Sequence, residues 1–443
     1  MKNIKNSYKT LMLGLFLGLT SIFPLQAQNG TVNTITLSQA ITLTVQNHPL
    51  IKEASDQLAV DQAKSLEQKS AFYPSAAIEI NDNFMGPRPF FEITAPIQKQ
   101  FYLTPKNNLN ANFTLHYLIY DFKRRQEVLK LFRSNELTGA EKIDLIRFQL
   151  AYQTAKVYYS ILYLNKSLEV MDHEICDLRE HLDVARKLVL TGSATGLDTL
   201  NTRVRLTVLI NQQKQVSTQK EKAKVLLKSL MNLPPEKKIH LAGNFEKRFK
   251  TYSLDSLLQK AFNQREELKI NQLISKTTRI QKNIISKSNL PLITAHGSIG
   301  IKNGYPEALS RLKGNYVVGL SAQIPVFDGY HRKSQLKTAD RQIKTIDDHE
   351  LVIKQKIRTE IENEWLDYKN NKVQLHSAAE EIKQTQAALD QAKGLYETGS
   401  ITNTTLLDTE TALSRAQLKY THQLFQLTLS RYQILQAIGE KIW

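Results

Sequence analysis

The chain has 443 residues, a formal net charge of +17 and a mean hydropathy of −0.35. Beyond the N-terminus no run of about 18 apolar residues occurs, which excludes helical membrane spans; a β-barrel span stays open, because alternating lipid-facing and lumen-facing residues keep the mean low. Cys176 is the only cysteine, which rules out internal disulfides and a thiol metal cluster.

At the N-terminus Lys2, Lys5 and Lys9 precede an apolar run over 11–19, and Leu25-Gln26-Ala27 offers a small-residue cleavage site. Residues 1–27 therefore read as a secretory signal peptide. Its removal takes away three lysines and no acid, so +17 becomes +14. No Cys follows the cleavage site, so a lipoprotein anchor is not expected. Such basicity suits nucleic acid or anionic lipid, and for an exported protein nucleic acid is the poorer partner. Cys176 falls on a helical pattern and is expected as a small buried or interfacial residue.

The elements then come in two rounds. A helical segment opens at Thr36-Leu37-Ser38, and Ala76, Ile78 and Ile80 give a short alternating run. An aromatic, Pro-rich segment follows over 84–103, and then a strand over 109–117 in which Leu109, Ala111, Phe113, Leu115 and Tyr117 alternate with polar residues. Asp121 precedes a long helical tract that turns at Gly192 and returns. The second round opens at Ser253-Leu254-Asp255, alternates over 293–301 and again over 318–326, and reaches Asp328 and a turn at Gly399.

The rounds superimpose. At an offset of 217, Ile51-Lys52 lies over Leu268-Lys269 and Pro74 over Pro291. At 207, Tyr120-Asp121 lies over Phe327-Asp328, and Leu182, Ala185, Leu188 and Gly192 fall on Leu389, Ala392, Leu395 and Gly399. A single ten-residue insertion in the first copy, between Pro74 and Asp121, reconciles the two offsets. Repeats spanning 34–234 and 251–443 follow, each with a strand hairpin (75–120, 292–327) and a helical hairpin (121–232, 328–439).

Proline draws the same map. None occurs between Pro105 and Pro234 or after Pro325, which permits very long helices, since an interior Pro costs about 3 kcal/mol. Ile161, Leu168, Ile175, Leu182 and Val189 form one seven-residue series, with Leu164, Met171, Leu178 and Ala185 beside it; Tyr368, Leu375, Ile382, Leu389 and Tyr396 form another. This period implies left-handed coiled-coil packing rather than the broad stripe of a globular helix. Asp121 and Asp328 are the expected N-caps, and Gly192 and Gly399 suit the left-handed residue that ends a helix.

Period-two alternation over nine or ten residues suits a membrane barrel with a polar interior, although a soluble sheet would share it. Four strands leave two open edges, which lipid does not tolerate, so the chain would contribute to a shared barrel. Two, three or four copies would all close it.

Ile324-Pro325-Val326-Phe327-Asp328-Gly329 at the strand-to-helix junction, Tyr396-Glu397-Thr398-Gly399-Ser400 and Leu406-Leu407-Asp408, taken with the duplication, resemble the TolC-like outer-membrane efflux proteins. The first copy keeps the junction only loosely, as Leu118-Ile119-Tyr120-Asp121-Phe122. The resemblance implies a mainly α fold with a membrane β-barrel part, a homotrimer with a twelve-stranded barrel, and a long α-helical periplasmic tunnel. It also implies docking onto an inner-membrane pump through a periplasmic adaptor. With little chain after the last helix, any equatorial domain should be small.

No phosphate loop, nucleophile elbow or metal-spaced His helix is present, and no cofactor or metal is expected. Candidate functional residues therefore belong to a pore. Asp198 and Asp408 lie just past the turns; by the resemblance, acids here ring the periplasmic entrance, and the alternative is plain helix capping or a first-turn acid favoured by the helix dipole. Asp408 stands three residues beyond the family's other acidic position, here Thr405. The turns over 191–197 and 398–404, with Gly192, Ser193, Gly196, Leu197, Gly399 and Ser400, are candidates for adaptor contact, against plain turn chemistry. Lys123, Arg124, Arg125, His331, Arg332 and Lys333 follow the strand ends and would meet outer-membrane lipid phosphates. Phe90, Phe91, Phe101 and Tyr102 leave two roles open: plugging the external mouth or resting in the interface belt. The functional expectation is a passive exit duct in the outer membrane, serving tripartite efflux or type I secretion; the competing expectation is a secreted periplasmic coiled-coil adaptor or scaffold.

Overall fold

The computed structural model describes residues 33–245 and 251–443; the expected signal peptide at 1–27 lies outside the described residues. The first copy runs β1 (Asn33–Ile35), α1 (Leu37–Asn47), α2 (Pro49–Ser70), β2 (Ser75–Phe84), β3 (Phe90–Ile93), β4 (Lys99–Tyr102), β5 (Asn107–Tyr120), α3 (Arg124–Leu190) and α4 (Gly196–Leu230). After β6 (Ile239–Leu241) the second copy runs α5 (Leu254–Gln264), α6 (Glu266–Ser286), β7 (Leu292–Lys302), β8 (Lys313–Gln323), α7 (His331–Glu397) and α8 (Asn403–Ala437).

The duplication is metrical in the helices. α3 and α7 each contain 67 residues and α4 and α8 each 35, with Arg124 and His331, and Leu230 and Ala437, all 207 apart. At 1.5 Å per residue the long helices reach roughly 100 Å and the short ones about 50 Å. The returning helix therefore ends about halfway back. The remaining half of α3 is backed by α2 and α6, and α6 also packs on α7. A helix of this length presents more apolar seam than one return helix covers, and the α2 and α6 faces supply the rest.

Most of the expected heptad seam is buried: Ile161, Leu164, Met171, Ile175, Leu178, Leu182 and Ala185 are buried, and Leu168 and Val189 half-buried. Met171, Ile175 and Leu178 meet Leu209 of α4 and Leu407 of α8, so the two copies share a core. Around the middle of the molecule, Leu227, Leu230 and Met231 pack with Tyr158, Ile161, Ile35 and Ile239. There β1 and β6 pair in parallel in a two-stranded sheet, and the Tyr158 hydroxyl donates to the Ile35 carbonyl at 3.0 Å. Cys176 is exposed on this chain rather than buried, which leaves the interfacial alternative of the two expected.

The four long strands form one antiparallel sheet in the order β2-β5-β7-β8. The β5–β7 pairing, from Asn110 opposite Lys302 to Tyr120 opposite Ile293, joins the two copies. The first copy's inner strand exceeds the 109–117 expectation at both ends. The last strand runs over Lys313–Gln323 and stops short of the 326 expected, because Pro325 has no N–H to offer a ladder. The inserted segment after Phe84 forms its own two-stranded ladder, β3 with β4.

Candidate functional site

Strand alternation sorts the sheet into two unlike faces. On one lie Ile78, Ile80, Phe113, Leu115, Ile299, Tyr316, Val318 and Leu320, all exposed. On the other, register places Glu79 opposite Asn112 and Ala77 opposite Thr114, then Thr114 opposite Ser298 and His116 opposite His296. An apolar exterior over a polar interior is the inside-out pattern of a membrane barrel. β2 and β8 are the edges, each with a row of backbone groups unpaired within the chain.

The strand-to-helix joints are built alike in both copies. Each passes through two consecutive left-handed residues, Phe122 and Lys123 in the first and Gly329 and Tyr330 in the second. The helices accordingly begin at Arg124 and His331, three residues after the aspartates. The aspartates still cap: Asp121 Oδ2 accepts the Arg125 amide at 2.7 Å, and Asp328 Oδ2 accepts the Arg332 amide at 2.9 Å.

The basic clusters at these joints divide into two kinds. Arg125 is spent inside the fold. Its Nε contacts Asp121 Oδ2 at 3.2 Å, its NH1 donates to the Ala71 carbonyl at 2.9 Å and its NH2 to the Ile119 carbonyl at 3.4 Å. Arg332 repeats the strap, with NH1 on the Ser286 carbonyl at 3.2 Å. Each thus ties the end of α2 or α6 to the start of the long helix, a different task from the lipid contact expected. Lys123 and Lys333 are exposed, and Arg124 is half-buried. Arg124 lines a cavity of about 200 Å³ with Gln68, Leu118 and Leu292.

At the opposite end both turns close as expected. Gly192 and Gly399 have φ of +76° and +71°; the Ser193 and Ser400 amides reach back to the Leu188 and Leu395 carbonyls, each at 2.8 Å. The serine hydroxyls bond to Thr191 and Thr398. Gly196 is the first residue of α4, and a Cβ there would meet nothing. The first tip is the more apolar: Leu190 and Leu197 are 87% and 63% exposed.

The two acids near the turns are not alike. Asp198 sits in the first turn of α4, where its Oδ2 accepts from the Thr195 amide at 2.9 Å and hydroxyl at 2.8 Å. That is the capping alternative weighed for it. Asp408 pairs with Arg205 of α4, and Arg205 also reaches Thr411 Oγ1 at 3.3 Å. Beside them lies a polar layer between α3 and α8. His181 Nε2 meets Asn403 Oδ1, His181 Nδ1 lies 3.8 Å from Glu410 Oε1, and Ser414 bonds Glu174. Burial raises the carboxyls of Glu410 and Glu174 above the usual range. Arg205, His181 and Glu410 escaped the sequence reading: the residue 207 positions after Arg205 is Ala412, so the repeat gives no hint of that arginine.

Comparison with known proteins finds the same arrangement elsewhere. Residues 257–440 match the model of the outer membrane efflux protein family. Among curated proteins the sequence finds no match. Among solved structures, the outer-membrane channel OprN superposes with a TM-score of 0.75 at 14% identity, covering 91% of this chain and 90% of its own. The Campylobacter jejuni CmeC outer membrane channel gives 0.74 at 14%, with 91% and 85% covered. The outer membrane protein VceC of Vibrio cholerae gives 0.73 at 13%, with 92% and 97% covered. The shared fold is that of outer-membrane channels. The second copy thus carries the sequence of the outer membrane efflux protein family, and the whole chain has the fold of these outer-membrane channels, as the junction and turn motifs implied.

Proposed function

We propose that the protein is the passive exit duct of a tripartite efflux or type I secretion system, assembled as a homotrimer. The observation that carries this reading is the four-stranded sheet, apolar outside and polar inside, whose edges β2 and β8 are unpaired within the chain. Unpaired backbone groups in lipid cost several kcal/mol each. Pairing β8 of one copy with β2 of the next removes both edges, and three copies make twelve strands. Joined to helices of roughly 100 Å, such a barrel continues as a tunnel through the periplasm.

The duct performs no chemistry, and a pump in the inner membrane supplies the energy. The turns at Gly192 and Gly399 face that pump and meet a periplasmic adaptor. Exposed Leu190 and Leu197 favour the first tip as the stickier contact. Asp198 and Asp408, tripled by symmetry, narrow the entrance and favour cations. At the membrane end Lys123, Arg124 and Lys333 reach lipid phosphates.

The test is reconstitution. Protein extracted from membranes that resist carbonate washing, and crosslinked to a trimer, should form conducting pores in a planar bilayer. Release by carbonate, or a trimer that never conducts, would overturn the reading in favour of a soluble scaffold. Cysteine at Ser193 that captures no adaptor in cells would remove the tip assignment alone.

A further inference from the structure

The ladder of β3 and β4 is not part of the barrel sheet and is the largest departure of the first copy from the second. It follows Phe84, the last residue of β2, and precedes Asn107, the first of β5. The other ends of those strands lead to α2 and α3. The hairpin therefore stands at the external mouth, the helices being periplasmic.

Its register sorts it into two faces of unequal polarity. Phe91 faces Phe101 and Ile93 faces Lys99, while Phe90 faces Tyr102 and Glu92 faces Gln100. The Leu103 amide donates to the Pro89 carbonyl at 3.0 Å, which extends the ladder by one pair. Residues two apart share a face, so Pro89, Phe91, Ile93, Phe101 and Leu103 lie on one side with Lys99 as its single charge. Phe91 and Phe101 stack at 5.2 Å. This face is exposed and no other element packs extensively against it. The opposite face carries Glu92 and Gln100 beside Phe90 and Tyr102, the latter under Arg88, and is the more polar of the two.

Cations sit on the aromatic rings throughout the segment. Lys99 Nζ lies 5.1 Å from the centre of Phe101, Arg88 Cζ 3.7 Å from that of Tyr102, and Lys106 Nζ 4.9 Å from that of Phe84. Against these three cations stands one acid, Glu92. Aromatic rings paired with Lys and Arg are the chemistry of the membrane–water interface, where the ring rests at headgroup depth and the cation meets phosphate. The pattern is continuous with the lipid-facing side of β2, whose Ile78, Ile80 and Phe84 lead straight into it.

We propose that the β3–β4 hairpin is an outer-leaflet anchor: it folds outward from the barrel rim and lays its Phe91–Phe101 face on phosphate-bearing lipid, with Lys99 at the phosphates. The rival arrangement, three hairpins meeting on the axis as a plug, would gather three Lys99 charges inside an apolar cluster, where like charges repel most strongly. The proposal rests on the barrel reading above, and the experiment separates the two.

Trp is placed at Ile78, Phe91 or Glu92 in the full-length trimer, reconstituted in vesicles of chain-brominated phosphatidylglycerol. The emission of Trp365 and Trp443 is subtracted using the unsubstituted protein. Bromine should quench the Ile78→Trp and Phe91→Trp emission and leave Glu92→Trp bright and open to acrylamide. Adding Lys99→Glu to Phe91→Trp should restore part of the lost emission. Quenching of Ile78→Trp but not of Phe91→Trp overturns the anchor alone, and a rise in single-channel conductance on loss of the Phe91 and Phe101 rings would assign the hairpin to the plug. An unquenched Ile78→Trp overturns the barrel and the anchor together.

Discussion

Arg205 on α4 and Asp408 on α8 form an ion pair that crosses from one repeat to the other near the turns. α4 and α8 otherwise touch little compared with α3 and α8. Asp408 is exposed and Arg205 only partly covered, so the pair contributes little to overall stability, on the order of 0–1 kcal/mol. Its effect is positional. Arg205→Ala and Asp408→Ala should each leave the melting temperature nearly unchanged and raise single-channel conductance. The double variant should do no more than either single one, because the same contact is lost. Additive conductance changes would show that the two residues act separately.

The capped joints are unequal despite their symmetry. Asp121 is buried beside Arg125, whereas Asp328 is exposed. Asp328→Ala should cost about 1 kcal/mol, the usual loss for a helix cap. Asp121→Ala should cost more, roughly 3 kcal/mol, because Arg125 loses its partner in a buried setting. Thermal unfolding followed by circular dichroism checks the order.

Gly300 sits where the two copies pair. A Cβ there would fall 2.1 Å from the Ala111 carbonyl oxygen and 2.6 Å from the Asn112 Cα, both backbone. Gly300→Ala should therefore break the β5–β7 register and abolish membrane-embedded trimer. Gly297→Ala, whose nearest contact would be at 3.8 Å, should assemble normally. Carbonate-resistant yield is the measurement.

The turn glycines should respond identically to Ala. Nothing surrounds either Cβ position, so only the left-handed backbone matters, at about 1–2 kcal/mol each. Gly192→Asn and Gly399→Asn should recover part of that loss, since Asn tolerates the conformation.

The polar layer carries a pH dependence. Burial raises the Glu410 and Glu174 carboxyls in the fold. A carboxyl with a raised folded pKa binds its proton more tightly when folded. Its contribution is thus full below the ordinary Glu range and is lost as pH climbs through the raised value. Protection factors at the α3–α8 contact, corrected for intrinsic amide exchange, should be higher at pH 5 than at pH 8, and Glu410→Gln should flatten that difference.

Much of this architecture was legible in the sequence because its determinants are local or periodic. The heptad seam from Ile161 to Ala185, the Pro-free tracts, the turn glycines and the alternation from Leu109 to Tyr117 each depend on neighbours a few residues away, and duplication stated them twice. Helix length is set by the seam, and register by which face must be apolar. What only the tertiary structure decided are contacts between residues far apart in the chain. Arg125 reaches the Ala71 carbonyl, Asp408 finds Arg205, and His181 finds Glu410, each across unrelated stretches of sequence. A basic run after a strand reads the same whether its arginine points to lipid or to a helix end. The partners of the long helices' remaining halves were hidden for the same reason: the apolar faces that complete them belong to α2 and α6, and only packing reveals which seam each covers.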